Sequence, residues 1–275
     1  MVTSMAETKR KTHSYSALST YESCTLKYDL SYMRGIWLPK IYSYELVKGL
    51  IFHGYAELYK STKEFANHRY LIDYAFTHAD DVSPEWLGKL TLEERQTIIN
   101  ACKEFKEWWD KKFYSSLYAP DEPVDEFFKI HRETKLYGDE PFPFNGVLDL
   151  YYEDDKGLHI IDYKTPKNAK IDTYRSQLEL YAYFLGKKED KPVSSISVYF
   201  AFAKDVKNGD RVYPVPLTRI PKTVEKYSAL VTEITGPNRK AEATLNWLCD
   251  YCPYRGRQEY CPVSVIAGAK PQPQA

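Results

Sequence analysis

Residues Phe144 to Phe184 read FNGVLDLYYEDDKGLHIIDYKTPKNAKIDTYRSQLELYAYF. Apolar residues alternate through Gly146–Tyr152 and again through Leu158–Lys164, the period of two that marks half-buried strands, and the turn-forming run Asp154-Asp155-Lys156-Gly157 lies between them. The pattern predicts a β-hairpin. With those four residues as the turn, Glu153 pairs with Leu158, and counting outward along an antiparallel ladder brings Asp149 opposite Asp162. Both side chains then leave one face, about 4.5–5.5 Å apart at Cβ. Lys164 lies two residues further, on the same face, roughly 7 Å along the strand.

Facing carboxylates repel unless something positive sits between them, and a divalent cation held by oxygen ligands is the usual solution. Such a cation acidifies a bound water, and a neighbouring ammonium can orient that water or steady developing charge, which suits hydrolysis of a phosphodiester. Without a cation the same residues are a solvated hairpin face with a surface lysine.

Asp149, then Asp162-Tyr163-Lys164, then Gln177-x-x-x-Tyr181 resembles the PD-(D/E)xK nuclease superfamily in its RecB-like branch. The resemblance implies an α/β fold, a restriction-endonuclease-like core with a central mixed sheet flanked by helices. It also implies that the strand pair carries the metal-binding acids and the lysine, while Gln177 and Tyr181 lie near the substrate strand. Gln177 and Tyr181 are four apart and share a helix face on a helix expected from Asp172 to Gly186, with Tyr174, Leu178 and Leu185 on an adjoining stripe.

The chain has 275 residues, 43% of them hydrophobic, enough to bury a core, and one elaborated domain is expected. Its parts would be a mobile tail at 1–12, a helical region at 13–118, the catalytic sheet and helix at 119–217, and a helix with a cysteine-rich segment at 218–275. No apolar run reaches membrane-spanning length and the opening MVTSMAETKRKTHSYS has no signal-peptide core, so a soluble cytoplasmic protein is expected. Lysine plus arginine balance aspartate plus glutamate at 38 each, so any nucleic-acid groove must be a local one. Among 25 tyrosines some can stack on unpaired bases, though half-buried packing accounts for most.

Upstream, a helix is expected from Ser16 to Met33, capped by Ser16 or Ser19, with Cys24 in its middle. A second, Leu46–Lys60, sets Leu46, Leu50, His53 or Gly54, and Glu57 near one face and contains Gly49-x-x-x-His53. That motif resembles one in the same nucleases, whose histidine completes the metal's coordination; Glu57 could hold the other ring nitrogen. Thr91 to Phe113 is an amphipathic helix opened by the capping box of Thr91 and Glu94, with Cys102, Trp108 and Trp109 read as core. Glu126 to Leu136 reads as the first strand, and Glu133 in it matches an acid that some of these nucleases place near the metal. Ser194–Ala203 and Asp210–Pro216 read as a strand pair around Lys207-Asn208-Gly209-Asp210, and Thr218–Thr235 as a helix.

The C-terminal part carries Cys249-x-x-Cys252 and then Cys261. In a cytoplasmic chain this spacing suggests a metal or redox site, three thiolates want a fourth, and Cys24 is the candidate. Four thiolates hold zinc or a four-iron four-sulfur cluster, and spacing does not choose. One cysteine ahead of the core and three near the C-terminus resemble the iron-sulfur nucleases, including the AddB type and the CRISPR-associated family-4 exonucleases; the run between Cys252 and Cys261 is longer than in that pattern. The cluster would staple the first helix to the last segment. Arg239, Lys240, Arg255 and Arg257 lie nearby in sequence as candidate phosphate contacts.

Together these imply a metal-dependent DNA exonuclease acting on single-stranded DNA or free ends. His53, Asp149, Asp162 and the Tyr163 carbonyl would hold Mg²⁺ or Mn²⁺, with Lys164, Gln177 and Tyr181 at the reacting strand. Two other classes remain: a nucleic-acid-binding module with a decayed active site, and a cysteine-based metal or redox sensor.

Overall fold

The computed structural model describes residues 12–39, 42–59, 68–78, 82, 84–113, 129–204 and 211–261. Five strands form one mixed sheet in the order β1 (His131–Gly138), β2 (Phe144–Asp154), β3 (Gly157–Lys164), β4 (Val193–Phe200) and β5 (Val212–Val215). β2 and β3 are antiparallel, β3 and β4 parallel, β4 and β5 antiparallel. The hairpin register is the one its turn dictates: Glu153 pairs with Leu158 and Asp154 with Gly157. Gly157 is at φ +122° and a Cβ there would collide with Ser194, so the turn needs a glycine.

Helices precede and interrupt the sheet: α1 (Tyr15–Ser23), α2 (Thr25–Tyr28), α3 (Tyr44–Leu58), α4 (His68–Thr77), α5 (Pro84–Lys89), α6 (Leu92–Phe113), α7 (Arg175–Glu189) and α8 (Ile220–Thr235). The described residues divide into two compact units, one within 1–41, 137–146 and 222–275, the other within 42–136 and 147–221. No helix among the described residues is long and apolar enough to cross a membrane.

In the second unit alternate residues of the central strands serve two purposes. Leu150, Ile161, Tyr163 and Tyr199 join Phe52 of α3 and Phe105, Cys102 and Trp109 of α6 in one buried cluster. Phe105 meets Tyr163 and Tyr199 edge-on at 5.3 and 5.4 Å, pairs worth about 0.5–1.5 kcal/mol each beyond the area they bury. Cys102 and Trp109 are therefore core, as their apolar stripe predicts, with Trp108 packed against them. The neighbouring positions Asp162 and Lys164 leave by the other side of the pleat. α7, which packs on β3 and β4, buries Leu178, Tyr181 and Leu185.

In the first unit α1 and α8 exchange hydrogen bonds, Tyr21 donating to Glu233 at 2.9 Å and Tyr227 to Glu22 at 3.0 Å. Asp29, buried, is held between Arg34 at 2.8 Å and Arg239 at 2.7 Å.

Several elements depart from the sequence expectation. The first helix is capped by Ser14, whose hydroxyl accepts from the Ala17 amide at 3.2 Å, rather than by Ser16 or Ser19. It does not run through to Met33: Cys24 is extended, at φ −162°, and separates α1 from α2, after which a π-helical turn covers Asp29–Met33. The broken ladder is repaired from afar, because the Leu26 amide donates to the Glu242 carbonyl at 3.0 Å. α3 begins earlier than expected, on a Ser43 cap, and buries Val47, Ile51, Phe52, Tyr55 and Ala56; the Leu46, Leu50, His53 and Glu57 stripe is the more exposed face. β1 begins at His131, not Glu126, and residues 126–128 and the turn at 207–210 lie outside the described residues, as does the expected tail at 1–11. The capping box of α6 forms as read, with reciprocal bonds of 2.9 and 3.1 Å between Thr91 and Glu94.

Candidate active site and cysteine cluster

The paired β2–β3 ladder ends at Leu150 and Ile161, one residue short of Asp149 and Asp162, and the hydrogen-bond pattern changes there. There the Tyr163 amide donates to Asp149 Oδ2 at 2.6 Å, so a side chain takes the place of a strand carbonyl. The ring of Tyr163 belongs to the aromatic core, which leaves its backbone as the part available to the site.

His53 arrives from α3, with Nδ1 3.6 Å from Asp149 Oδ1. Gly49 explains how the helix comes so near: a Cβ there would sit 3.0 Å from Thr165 Oγ1, the residue after Lys164. Just beyond, Glu45 joins two lysines, the buried Lys48 and, at 3.0 Å, Lys167, and so ties α3 to the loop that follows β3. Glu57 is exposed.

One acid carries more weight than its sequence signal gave it. Among the described residues, a group of three or more His, Cys, Asp or Glu side chains brings its ligand atoms within 4.8 Å of one another at one place: His53, Glu133 and Asp149. Glu133 is in the left-handed region, at φ +44°, in the middle of β1. For a residue other than glycine that backbone costs on the order of 1–3 kcal/mol, and such strain collects at functional sites. Burial first, then Asp149, Glu57 and Asp162, push the Glu133 carboxyl up to about 7. The oxygen and imidazole atoms of this group are of the kinds that hold Mg²⁺ or Mn²⁺.

Asp162 stands apart from that trio. It is 2% exposed, and its Oδ2 lies 2.5 Å from Lys164 Nζ in a buried ion pair. Burial raises the Asp162 carboxyl against the pull of Lys164, with Asp149 adding to the rise. Burial would lower Lys164, but Asp162 and Asp149 outweigh it and keep the ammonium charged. Tyr174, assigned to a packing stripe by periodicity, instead lies beneath that ammonium, 5.1 Å from Nζ to ring centre. Gln177 Nε2 donates to the Tyr181 hydroxyl at 3.0 Å. Burial raises the Tyr181 hydroxyl, and Asp162, Lys164 and Asp149 are all close enough to act on it.

So His53, Asp149, Asp162, Lys164, Gln177 and Tyr181 meet within one unit, and Glu133 and Tyr174 join them. The spacing of Gly49 to His53 was the legible part of α3; nothing local marked the bend at Glu133.

The cysteines gather in the other unit. Cys24, Cys249, Cys252 and Cys261 are half-buried and unbridged by disulfides, and Cys24 and Cys261 both act electrostatically on Cys252. Cys24 Sγ accepts from the Lys27 amide and Cys249 Sγ from the Asn246 amide, each at 3.5 Å, and the Tyr254 backbone bonds to the Cys252 sulfur. Backbone N–H groups aimed at sulfur favour thiolate and tune thiolate-bound clusters. Tetrahedral zinc, with Zn–S bonds of about 2.3 Å, needs sulfurs roughly 3.8 Å apart. No three of these four sulfurs come within 4.8 Å of one another. Of the nearby cations, Arg239 is engaged by Asp29 and Arg255 by Asp250, while Lys240 and Arg257 are exposed.

Comparison with known proteins agrees with the fold. Residues 12–262 match the family model of the PD-(D/E)XK nuclease superfamily. The A component of the ATP-dependent helicase/nuclease of Clostridium perfringens (strain SM101 / Type A) is 29% identical over 155 residues, 48% of this chain and 12% of that protein. The same component from Clostridioides difficile (strain 630) is 29% identical over 96 residues, and that from Lacticaseibacillus casei (strain BL23) 35% over 75. The matches cover 33% and 26% of this chain, and 8% and 6% of those proteins, so the chain spans about a tenth or less of these relatives. A crystal structure from Eubacterium rectale, of a protein whose exonuclease assignment is itself provisional, superposes with a TM-score of 0.53 at 10% identity, covering 96% of this chain and 91% of that one.

Proposed function

We propose, from the premise that this chain belongs to the PD-(D/E)XK nuclease superfamily, that it is a metal-dependent DNA exonuclease of the cytoplasm, acting at single-stranded ends and stapled by an iron-sulfur cluster. The observation that carries the reading is the meeting of His53, Glu133 and Asp149 beside the buried Asp162–Lys164 pair. His53, Asp149, Asp162 and the Tyr163 carbonyl are the residues to hold Mg²⁺ or Mn²⁺, with Glu133 as a further ligand. A bound divalent ion lowers the pKa of its water and polarises the phosphoryl oxygen.

The rest is done by the chain's own groups. Lys164, charged and fixed by Asp162, presents an N–H to the attacking water or to a phosphoryl oxygen as charge develops on it. Gln177 and Tyr181, already joined, orient the scissile strand, and the buried setting of Asp162 keeps bulk water from competing.

In the other unit Cys24, Cys249, Cys252 and Cys261 are the residues to hold the cluster, supported by the three backbone bonds to sulfur. Its contribution is cohesion of that unit rather than chemistry.

The test is anaerobic purification with iron and acid-labile sulfide analysis, then incubation of end-labelled single-stranded DNA with Mn²⁺ or Mg²⁺. Iron with sulfide and progressive loss of end label are expected. A chain that binds DNA and cuts nothing in either metal is a binding module, and the catalytic reading fails.

A further inference from the structure

Nine large apolar side chains are exposed among the described residues, and five of them, Met33, Trp37, Leu245, Trp247 and Tyr251, fall in two short stretches of the cysteine-bearing unit. Trp37 is 67% exposed and Trp247 73%. Large apolar side chains left in water, three of them aromatic, are what an interaction surface presents.

The two stretches share one frame. Tyr254, in the cysteine segment, has its hydroxyl 2.8 Å from Ser31 Oγ and donates to the Ile36 carbonyl, while Asn246 Nδ2 donates to the Ser23 carbonyl at 2.9 Å. Gly35, at φ +68°, turns the chain out of the π-helical segment and into Trp37. The rings also come backed by others. Trp37 meets Tyr32 edge-on at 5.3 Å, Tyr32 stacks on Tyr28 at 5.3 Å, and Trp247 meets Tyr251 at 6.3 Å.

Charge decides what such rings receive. Residues 24–39 and 239–257 carry six cations, Lys27, Arg34, Arg239, Lys240, Arg255 and Arg257, against three acids, Asp29, Glu242 and Asp250, in a chain whose totals balance. Asp29 is buried between Arg34 and Arg239 and Asp250 pairs with Arg255, which leaves Lys27, Lys240 and Arg257 outside those pairs and a net surplus of positive charge. Flat apolar faces set among surplus cations match an unpaired strand, whose bases stack while its phosphates pair. A duplex keeps its base faces to itself.

We propose that Trp37 and the Trp247–Tyr251 pair form a stacking platform for single-stranded nucleic acid, made of none of the residues of the candidate active site. The inference rests on the nucleic-acid reading of the protein but not on its catalysis.

The test uses the full cluster-loaded chain carrying Lys164→Ala, in chelator, with a labelled thymidine homopolymer of about 20 nucleotides and a duplex of equal length, followed by fluorescence anisotropy. Trp37→Ala and Trp247→Ala should each weaken single-strand binding about tenfold, Trp37→Phe and Trp247→Phe should retain most of it, and duplex binding should change less than about twofold. An unchanged melting temperature shows that the fold survives. Equal single-strand affinity in the alanine variants overturns the platform, as does an equal loss on duplex. A change of oligomeric state with DNA binding intact overturns it in favour of a protein partner. If the parent chain with Lys164 cuts nothing and the tryptophan variants still lose single-strand affinity, the platform stands while the nuclease reading fails.

Discussion

The acid–lysine site and the cysteine site are each a handful of polar side chains brought to one place, yet they are assembled by opposite means. Asp149, Asp162, Lys164, Gln177 and Tyr181 come from one hairpin and the next helix, so a strand register and a helical turn bring them together. Cys24 meets Cys249, Cys252 and Cys261 only when the two ends of the described chain close on each other. The first is framed by local geometry that persists when one of its side chains is changed. The second, as proposed, is its own closure, and removing a ligand there would weaken the fold itself.

That contrast predicts where each substitution acts. Lys164→Ala should lower DNA cleavage at least about a hundredfold, the scale of losing one positioned donor to developing charge. Its melting temperature should move little, because the Asp162 carboxyl, already raised by burial, can take a proton instead of standing as a bare buried charge. Cleavage of end-labelled DNA and anisotropy on the same oligonucleotide check this. Retained cleavage removes Lys164 from the chemistry, and lost binding makes the effect structural.

Cys24→Ser should do the reverse. It should release iron and lower the melting temperature by about 10 °C, at roughly 2–4 °C per kcal/mol for a chain of this size, with cleavage falling only in step with the folded fraction. Calorimetry alongside iron analysis measures it. If iron and melting temperature stay as they were, Cys24 is no ligand and the two sites are not contrasted as argued.

The same difference explains what the sequence disclosed. The hairpin was legible because side chains alternate with a period of two and the Asp154–Gly157 turn fixes the count, so the pairing of Glu153 with Leu158 followed from arithmetic. The break at Cys24 was not legible, because the helical bond it gives up is replaced by the Glu242 carbonyl, more than two hundred positions away by sequence number. Ser14, Ser16 and Ser19 are all competent caps, and periodicity alone does not rank them. Glu133 was undervalued for a related reason: a left-handed residue inside a strand is normally announced by glycine or asparagine, and here a glutamate holds it. Tyr174 follows a stripe on paper, but a short 3₁₀ turn at Ile171–Thr173 changes its heading before the helix begins.

Glu133 also sharpens the comparison through pH. Its folded value of about 7 stands above the usual glutamate value near 4.5, so between those limits the folded chain holds a proton that the unfolded chain has released. The favourable contribution is fully present below about 4.5 and disappears as pH rises through 7. Metal-free protein should therefore lose a few degrees of melting temperature from pH 5 to pH 8, a modest amount because the group is partly solvated. Glu133→Gln should flatten that profile, and Mg²⁺ should stabilise the parent more at pH 8 than at pH 6. Parallel profiles for variant and parent place the acid outside the cation site.

The smallest effect belongs to Gly49, and it asks whether the local site tolerates movement of its frame. A Cβ there would meet Thr165 Oγ1 at 3.0 Å, tighter than ordinary contact, but the neighbour is a side chain able to give by a few tenths of an ångström. Gly49 is buried, and alanine is favoured over glycine in a helix interior by about 1 kcal/mol, an amount that offsets part of the crowding. Gly49→Ala should leave the melting temperature nearly unchanged. Any displacement at Thr165 passes to Lys164, its neighbour in the chain, and kcat should fall a few-fold with DNA affinity intact. Thr165→Ala in the same chain removes the hydroxyl and the β-methyl that the new Cβ would strike, and should restore kcat. A kcat loss that Thr165→Ala does not repair means that α3 positions His53 by some route other than its approach to this loop.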